Sequence, residues 1–263
     1  MQTFRSGGLE IAYQDIPAAG AEVGTAVLVH GFATNSEENW RRLGWFGAFE
    51  RKGYRILALD LRGHGASEKP HDPEPYDRAA MAGDIIALMD FVGVQRADLF
   101  GYSLGAHLSA QAAAAEPERF TSLILGGVGE RALTPRPERS GRLTMAEAMT
   151  MEDPAAIDEP ILRGFRQFAD AQGEDRLALA ACSQGRSQPL EGFLDRLRLP
   201  VLVVAGARDE MVGSPEALAE RIPGARGVSI PGCDHFSAIP HALFKAAVFD
   251  FLEGWEEDDQ ARL

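Results

Sequence analysis

The chain has 263 residues, of which 45% are hydrophobic and 25% are charged, so it can bury a sizeable core and has the composition of an ordinary globular protein. Its formal net charge of −13 repels nucleic acids and anionic membranes, and we expect neither as a partner. The two cysteines, Cys182 and Cys233, lie far apart and match neither a disulfide framework nor a metal-binding spacing.

The sequence predicts a cytoplasmic location. Unpaired cysteines fit a reducing compartment, and the first residues lack the apolar segment of a secretory signal. No run reaches the roughly 18 apolar residues of a membrane-spanning helix. No pattern indicates the oligomeric state.

Strand-like and helical patterns alternate along the chain. Residues 3–16 contain Gly7-Gly8 between two extended stretches, which predicts an antiparallel hairpin at the edge of a sheet. Short apolar runs typical of buried strands follow at 25–29, 55–59, 98–100, 122–125, 201–205 and 227–230. Apolar helical faces accompany them, formed by Ile85, Leu88, Met89 and Val92 and by Phe244, Ala247, Val248, Phe251 and Leu252. This alternation predicts a mainly parallel sheet covered by helices on both sides.

The alternation stops between residues 130 and 190. This stretch carries five prolines and helical windows such as 161–169, and it contains no strand-like run. We interpret it as a small helical cap inserted over the sheet. Residues 1–129 and 191–263 then form the core domain, and residues 130–190 form the cap.

The most informative local pattern is Gly-Tyr-Ser-Leu-Gly at Gly101–Gly105. It joins an apolar run, 97–100, to a small-residue run typical of a helix, 106–115. A serine on a tight strand-to-helix turn has an exposed hydroxyl, and glycines flank it because a Cβ would collide with neighbouring backbone. The pattern therefore predicts Ser103 as a nucleophile.

Residues that follow strands are further candidates for catalysis, because ligands of an open α/β sheet bind at the carboxyl ends of its strands. Asp209 follows the strand at 201–205, and His235 follows the run at 227–230. A serine hydroxyl needs an imidazole to take its proton and a carboxylate to orient that imidazole. We therefore predict Ser103, His235 and Asp209 as a catalytic triad.

A fourth strand end supplies His30-Gly31-Phe32. Acyl transfer needs hydrogen-bond donors directed at the oxyanion of the tetrahedral intermediate. The expected donors are the backbone N–H groups of Leu104, directly after the nucleophile, and of Phe32. Gly31 allows the backbone to approach the substrate.

In these residues the chain resembles the small-molecule branch of the α/β-hydrolase-fold family, which includes esterases, lactonases, C–C bond hydrolases, perhydrolases and haloalkane dehalogenases. The resemblance covers residues 27–252 except the insertion, and it rests on the order and spacing of His30–Phe32, Asp60–Ser67, Gly101–Gly105, Gly206–Asp209 and Gly232–His235. It implies a doubly wound, mainly parallel eight-stranded sheet with a small helical cap. It implies no metal and no organic cofactor.

The resemblance also narrows the chemistry. Dehalogenases of this fold use an aspartate nucleophile, whereas position 103 is serine, and the triple-glycine loop of some lipases is absent. Some relatives carry the acid after the preceding strand, which leaves Glu130 as the alternative to Asp209. In relatives His30 more often has a structural role, and His64 belongs to a turn that braces the site.

The pocket is less clearly marked in the sequence. Its candidate lining residues are His30, Gly31, Tyr102, Phe165, Phe168 and Phe236. Tyr102 either lines the pocket or packs beside the nucleophile. Phe165, Phe168 and the methionines of the insertion form either the core of the cap or an apolar pocket wall.

We predict a serine hydrolase that cleaves small carboxylic esters or lactones through an acyl-enzyme. Hydrolysis of a C–C bond in a ring-cleavage product is the alternative, because it uses the same triad. A non-catalytic small-molecule receptor is the alternative outside enzymes. The acyl-chain preference depends on the insertion and is not predicted, since one fold hosts many functions.

Overall fold

One sheet of eight strands organises the computed structural model, which describes residues 1–134 and 143–254. The strands are β1 (Gln2–Ser6), β2 (Leu9–Ile16), β3 (Gly24–Val29), β4 (Tyr54–Leu59), β5 (Ala97–Tyr102), β6 (Phe120–Gly126), β7 (Val201–Gly206) and β8 (Arg226–Ile230). Their order is β1-β2-β4-β3-β5-β6-β7-β8, with β1–β2 and β2–β4 antiparallel and every other pair parallel. The predicted mainly parallel sheet with an edge hairpin is confirmed.

Nine helices accompany this sheet within the described residues. They are α1 (Trp45–Arg51), α2 (Arg78–Phe91), α3 (Leu104–Ala115), α4 (Met145–Thr150), α5 (Pro160–Gln172), α6 (Arg176–Ser183), α7 (Glu191–Leu194), α8 (Pro215–Ala219) and α9 (Ala242–Leu252). Single helical turns lie at Glu37–Arg41, Glu74–Tyr76, Pro117–Arg119, Glu130–Leu133 and Pro154–Ala156. Over the same described ranges, no helix is both long and apolar enough to cross a bilayer.

Alternate residues of the parallel strands enter two separate cores. In β3, Val27 and Val29 pack on the side of α2 and α3, whereas Ala26 and Leu28 pack on the side of α1 and α9. All four are at most 1% exposed. Successive side chains of a strand point to opposite faces, so a strand that is covered on both sides is a continuous apolar run in the sequence.

The helical faces that the sequence predicts are the ones that cover the sheet. In α2, Ile85, Leu88 and Met89 are fully buried, and Val92, just after the helix, is half-buried. In α9, Phe244 and Val248 are fully buried against the opposite side of the sheet.

Helices α4 to α6 form the inserted layer between β6 and β7. Helix α5 begins with Pro160 at a position where proline needs no donor, and it ends at Gly173, whose φ of 69° is readily available to glycine. Residues 127–134 and 143–200 contain no strand. Residues 135–142 of the predicted cap, and 255–263 of the predicted core domain, lie outside the described residues.

The inserted layer packs onto the core through a small apolar cluster. Met149, Phe165, Ala169 and Leu179 meet Ala33, which lies in the loop after β3. The chain has returned to the main core by Leu190, which is fully buried with the residues that pack around α2 and α3. The insertion therefore lies against the carboxyl end of β3.

A buried ion pair ties the loop after β4 to α2. The Arg62 guanidinium donates through Nε and Nη2 to the two carboxylate oxygens of Asp84, at 2.9 and 2.6 Å. Arg62 also donates to the Pro75 carbonyl, and both charged side chains are at most 4% exposed. Removing one member of such a pair leaves the other charge buried without a partner.

We therefore expect Asp84→Ala to lower the free energy of unfolding by about 3–5 kcal/mol. Urea denaturation followed by circular dichroism measures this loss. The matched control is Glu191→Ala, which breaks an exposed pair with Arg221 and costs about 1 kcal/mol or less. Equal losses in the two variants would contradict the structural role of the buried pair.

Candidate active site

Ser103 lies on the tight turn between β5 and α3. Its φ of 53° and ψ of −112° form a strained conformation for a residue other than glycine. A hydrogen bond of 2.8 Å from the Ser103 N–H to the Gly126 carbonyl holds the turn. A Cβ at Gly101 would overlap the Gly105 carbonyl, and one at Gly105 would overlap the Val29 carbonyl. The two flanking glycines therefore allow the backbone to pass close enough to make this turn.

The structure brings Ser103, His235 and Asp209 into one hydrogen-bonded row. His235 Nε2 lies 3.0 Å from Ser103 Oγ, and His235 Nδ1 lies 2.6 Å from Asp209 Oδ2. Asp209 and His235 are 4% and 5% exposed, so the carboxylate acts on the ring without much screening by water. With a proton on Nδ1 shared with Asp209, Nε2 is free to accept the Ser103 hydroxyl proton.

The loops that carry Asp209 and His235 are fastened to each other and to the sheet. The Arg208 N–H donates to the Cys233 carbonyl at 2.8 Å, which joins the loop after β7 to the loop after β8. The second oxygen of Asp209 accepts from the Met211 N–H at 3.1 Å. Glu130, the alternative acid, is exposed and places its carboxylate beside Gly213. Asp209 is thus the acid that contacts the His235 ring.

Tyr102 packs beneath the histidine loop. Its side chain is 4% exposed, and its hydroxyl donates to the His235 carbonyl. Burial raises the pKa of the Tyr102 phenol well above its ordinary value, with Asp209 adding to the rise. These contacts favour the packing interpretation, and its place among the pocket candidates stays a prediction. Tyr102 supports the backbone of His235.

His30 is buried and bound to backbone through both ring nitrogens. Its ring is fully buried, Nε2 accepts from the Leu61 N–H at 2.9 Å, and Nδ1 donates to the Gly31 carbonyl at 2.7 Å. Burial lowers the pKa of His30. Both ring nitrogens bind backbone, and its inclusion among the pocket candidates stays a prediction. The ring joins the loop after β3 to the loop after β4.

His64 lies beside His30, with ring centroids 5.3 Å apart. Its Nδ1 lies 3.0 Å from the Arg62 carbonyl, and the ring is fully buried. Burial, with a further contribution from His30, lowers the pKa of His64 to about 3. The imidazole is therefore neutral at physiological pH. Its contact with the Arg62 carbonyl stabilises the turn that contains it.

The loop that carries Phe32 lies directly against Ser103. A Cβ at Gly31 would be 3.4 Å from the Tyr102 carbonyl oxygen and 3.5 Å from Ser103 Cβ. Within the described residues, the backbone N–H groups of Phe32 and Leu104 donate to no protein acceptor. The two N–H groups named from the sequence are therefore free to bind another molecule.

Aromatic side chains from the cap and core surround His235. The Phe165 ring lies 5.9 Å from Phe32, 6.4 Å from His235 and 5.5 Å from Phe236, measured between centroids. Phe168 lies 5.3 Å from Phe236 in the same way. Phe165 is 6% exposed and Phe236 is 44% exposed. Three of the candidate pocket residues, Phe165, Phe168 and Phe236, thus meet beside the histidine.

Two contributors to this site escaped the sequence interpretation. Met211 packs against the cap cluster from the loop after β7, and its position just after Asp209-Glu210 in a polar loop is a usable signal. Asp60, 1% exposed, accepts hydrogen bonds from the Ser36 and Ala66 N–H groups.

In residues 1–134 and 143–254, no group of three or more His, Cys, Asp or Glu side chains is placed to hold a metal ion.

Comparison with known proteins places this geometry in context. A family model described as the alpha/beta hydrolase fold matches residues 26–147. The dihydrolipoyllysine-residue acetyltransferase component of the acetoin cleaving system of Pseudomonas putida is 32% identical over 82% of this chain, and the chain spans only 60% of that relative's length. The 2-hydroxymuconate semialdehyde hydrolase of Pseudomonas putida is 28% identical, and 86% of each chain is covered.

A solved structure extends the likeness over the whole fold. The enol-lactonase from Burkholderia xenovorans superposes with a TM-score of 0.80 at 25% identity, covering 96% of this chain and 100% of that one. The sheet order, the strained serine turn and the relatives agree. The chain has the α/β-hydrolase fold and is similar to hydrolases of that family over most of its length.

Proposed function

We propose that the protein is a serine hydrolase of small carboxylic esters or lactones. The observation that carries the proposal is the row of hydrogen bonds from Ser103 through His235 to Asp209, beside two unengaged backbone N–H groups. A nucleophile, a base, an orienting acid and oxyanion donors are the parts that acyl transfer needs. The similarity to an enol-lactonase over the full length of both chains supports a carbonyl substrate of this kind.

The proposed reaction proceeds in two halves. Ser103 Oγ bonds to the carbonyl carbon while His235 Nε2 takes the hydroxyl proton, and the N–H groups of Phe32 and Leu104 bind the oxyanion. His235 then gives this proton to the departing alcohol oxygen as the ester bond breaks. In the second half, water adds to the acyl-enzyme with the same help from His235 and releases the acid.

The proposed substrate has an apolar acyl group of modest size. Phe165 closes the space between Phe32 and His235, and Phe168 and Phe236 extend the same apolar wall outward. Apolar walls with few polar groups are typical of sites for small, largely apolar ligands. The proposed partner is therefore a small ester-like molecule.

Hydrolysis of a C–C bond is the second candidate reaction. Its support is the similarity to 2-hydroxymuconate semialdehyde hydrolase, which covers 86% of each chain. The same triad serves both reactions, so the side chains around Ser103 decide between them. A panel of p-nitrophenyl esters, lactones and ring-cleavage products distinguishes the two by relative kcat/KM.

We expect Ser103→Ala to keep the fold and to lose both p-nitrophenyl acetate turnover and fluorophosphonate labelling. The loss in kcat is about 10³-fold or more, because no other group supplies the nucleophile. Steady-state kinetics and gel fluorescence measure the two properties. Ser183→Ala, a serine at the end of α6, is the control and stays at wild-type levels. Labelling of Ser103→Ala at the wild-type level would rule out the assigned nucleophile.

The choice of acid has a test of its own. We expect Asp209→Asn to lower kcat by about 10³-fold or more, because the amide cannot stabilise the imidazolium or fix the same tautomer. Glu130→Gln, by contrast, leaves kcat within about twofold, since that exposed carboxylate has no contact with His235. Initial rates across pH 6–9 measure both. A large loss in Glu130→Gln alone would transfer the role to Glu130.

A further prediction concerns Phe165 and the size of the proposed acyl group. We expect Phe165→Leu to raise the ratio of kcat/KM for p-nitrophenyl hexanoate over that for the acetate by about tenfold, because a smaller side chain leaves room for added methylenes. Phe193→Leu is the matched control, because Phe193 is equally buried but lies in the main core. An unchanged chain-length profile in Phe165→Leu would show that Phe165 does not limit the acyl group.

A further inference from the structure

A buried carboxylate of the cap binds two loops of the core. Glu174 lies in the link between α5 and α6 and is 8% exposed. Its Oε1 accepts from Asn35 Nδ2 at 2.9 Å, and its Oε2 accepts from the Gly65 N–H at 2.9 Å. Asn35 follows β3 and Gly65 follows β4, so one side chain of the cap joins both loops.

Asp60 holds the same two loops from inside the core. Its Oδ1 accepts from the Ser36 N–H and its Oδ2 from the Ala66 N–H, both at 2.8 Å. Glu174 binds the residue that precedes each of these, Asn35 and Gly65. The two loops are therefore joined twice, once by a carboxylate of the core and once by a carboxylate of the cap.

The hydrogen bonds continue from Asn35 to the backbone beside Phe32. The Asn35 carbonyl accepts from the Asn39 N–H at 2.9 Å, and Asn39 Oδ1 lies 3.4 Å from the donating Gly31 N–H. Within the same loop, Ala33 has a φ of 62°, a conformation that persists only where surrounding contacts hold it. The position of the Phe32 N–H group thus depends on the contacts that hold residues 31–39.

Keeping the Glu174 carboxylate ionised in the folded protein costs free energy. Burial raises the pKa of Glu174, whereas the hydrogen bonds from Asn35 and Gly65 and the charge of Lys69 oppose this rise only in part. The Lys69 ammonium donates to the Gly65 and Ser67 carbonyls on the same loop. Because folding raises the pKa of Glu174, ionisation of this side chain lowers the stability of the folded protein. Packing alone therefore does not account for a glutamate at this position.

We propose that Glu174 is a positioning residue that couples the seating of the cap to the alignment of the Phe32 N–H group, through Asn35 and Gly65. The proposal rests on the proposed function, in which that N–H group binds the oxyanion. An open cap removes both hydrogen bonds and leaves the two loops joined from within the core by Asp60 and His30. Full catalytic alignment then requires the closed cap, which also surrounds the acyl group.

The test compares Glu174→Ala, Glu174→Gln, Asn35→Ala and the double variant of Asn35→Ala with Glu174→Ala. We expect Glu174→Ala to lower kcat for p-nitrophenyl acetate by about tenfold with KM within about twofold, because the loss is in transition-state alignment. Glu174→Gln keeps one acceptor oxygen and loses about threefold. The loss in the double variant is smaller than the product of the two single losses, because the two side chains share one hydrogen bond. Rates are normalised to sites counted by fluorophosphonate labelling.

A second measurement follows the loop itself. Hydrogen–deuterium exchange of the amides at 31–36 and 65–66 is faster in Glu174→Ala than in the wild type, while exchange in β5 is unchanged. Glu152→Gln, an exposed acid of the same cap, changes neither rate nor exchange. Circular dichroism and Tm establish folding, and Glu174→Gln serves if the alanine variant is unfolded.

The outcomes separate the two proposals. A wild type that hydrolyses esters through Ser103 while Glu174→Ala matches its kcat overturns the positioning role alone. Losses that multiply in the double variant, or a rise in KM without a fall in kcat, also overturn it. A wild type with neither labelling nor turnover removes the proposed function, and the positioning role with it.

Discussion

Close passage of three backbone segments is the constraint on which the site depends. The end of β3, the end of β5 and the start of α3 approach until Gly101 and Gly105 have no space for a Cβ. Only in that approach does the chain reach the strained dihedral angles that expose the Ser103 hydroxyl. The parallel sheet supplies the other partners, because neighbouring strands end at the same edge and their loops carry Asp209 and His235.

Buried neutral and charged side chains also hold the loops around the site in place. His30 joins the loops after β3 and β4 as an uncharged imidazole, and Asp60 joins them as a carboxylate bound by backbone N–H groups. Arg62 extends the connection to α2 through Asp84. Buried groups of this kind are stable only when their hydrogen bonds are complete, so they fix one loop conformation. The polar residues around the site therefore act mainly on backbone.

Local patterns explain how much could be predicted from the sequence. The strands are continuous apolar runs, and the turn at Ser103 is a five-residue pattern, so both were predictable. Strand β5 runs two residues further than predicted because Gly101 and Tyr102 still pair with β6. The contacts of His30 and Glu174 were not predictable, because their partners lie 31 residues away for His30 and 109 and 139 residues away for Glu174. A charged helical insertion gives no sign of which acid is buried.

The hydrogen bond from Tyr102 to the His235 carbonyl has a consequence for how this protein can diverge. Tyr102 is the chain neighbour of Ser103, so one side chain of the core links the turn that carries Ser103 to the backbone of His235. Substitutions in α4, α5 and α6 that keep the contacts of Glu174 then change the side chains around Phe165 while the contact between Tyr102 and His235 stays. The insertion can therefore change its side chains while the link between the Ser103 turn and His235 is kept, provided that Glu174 keeps its two partners.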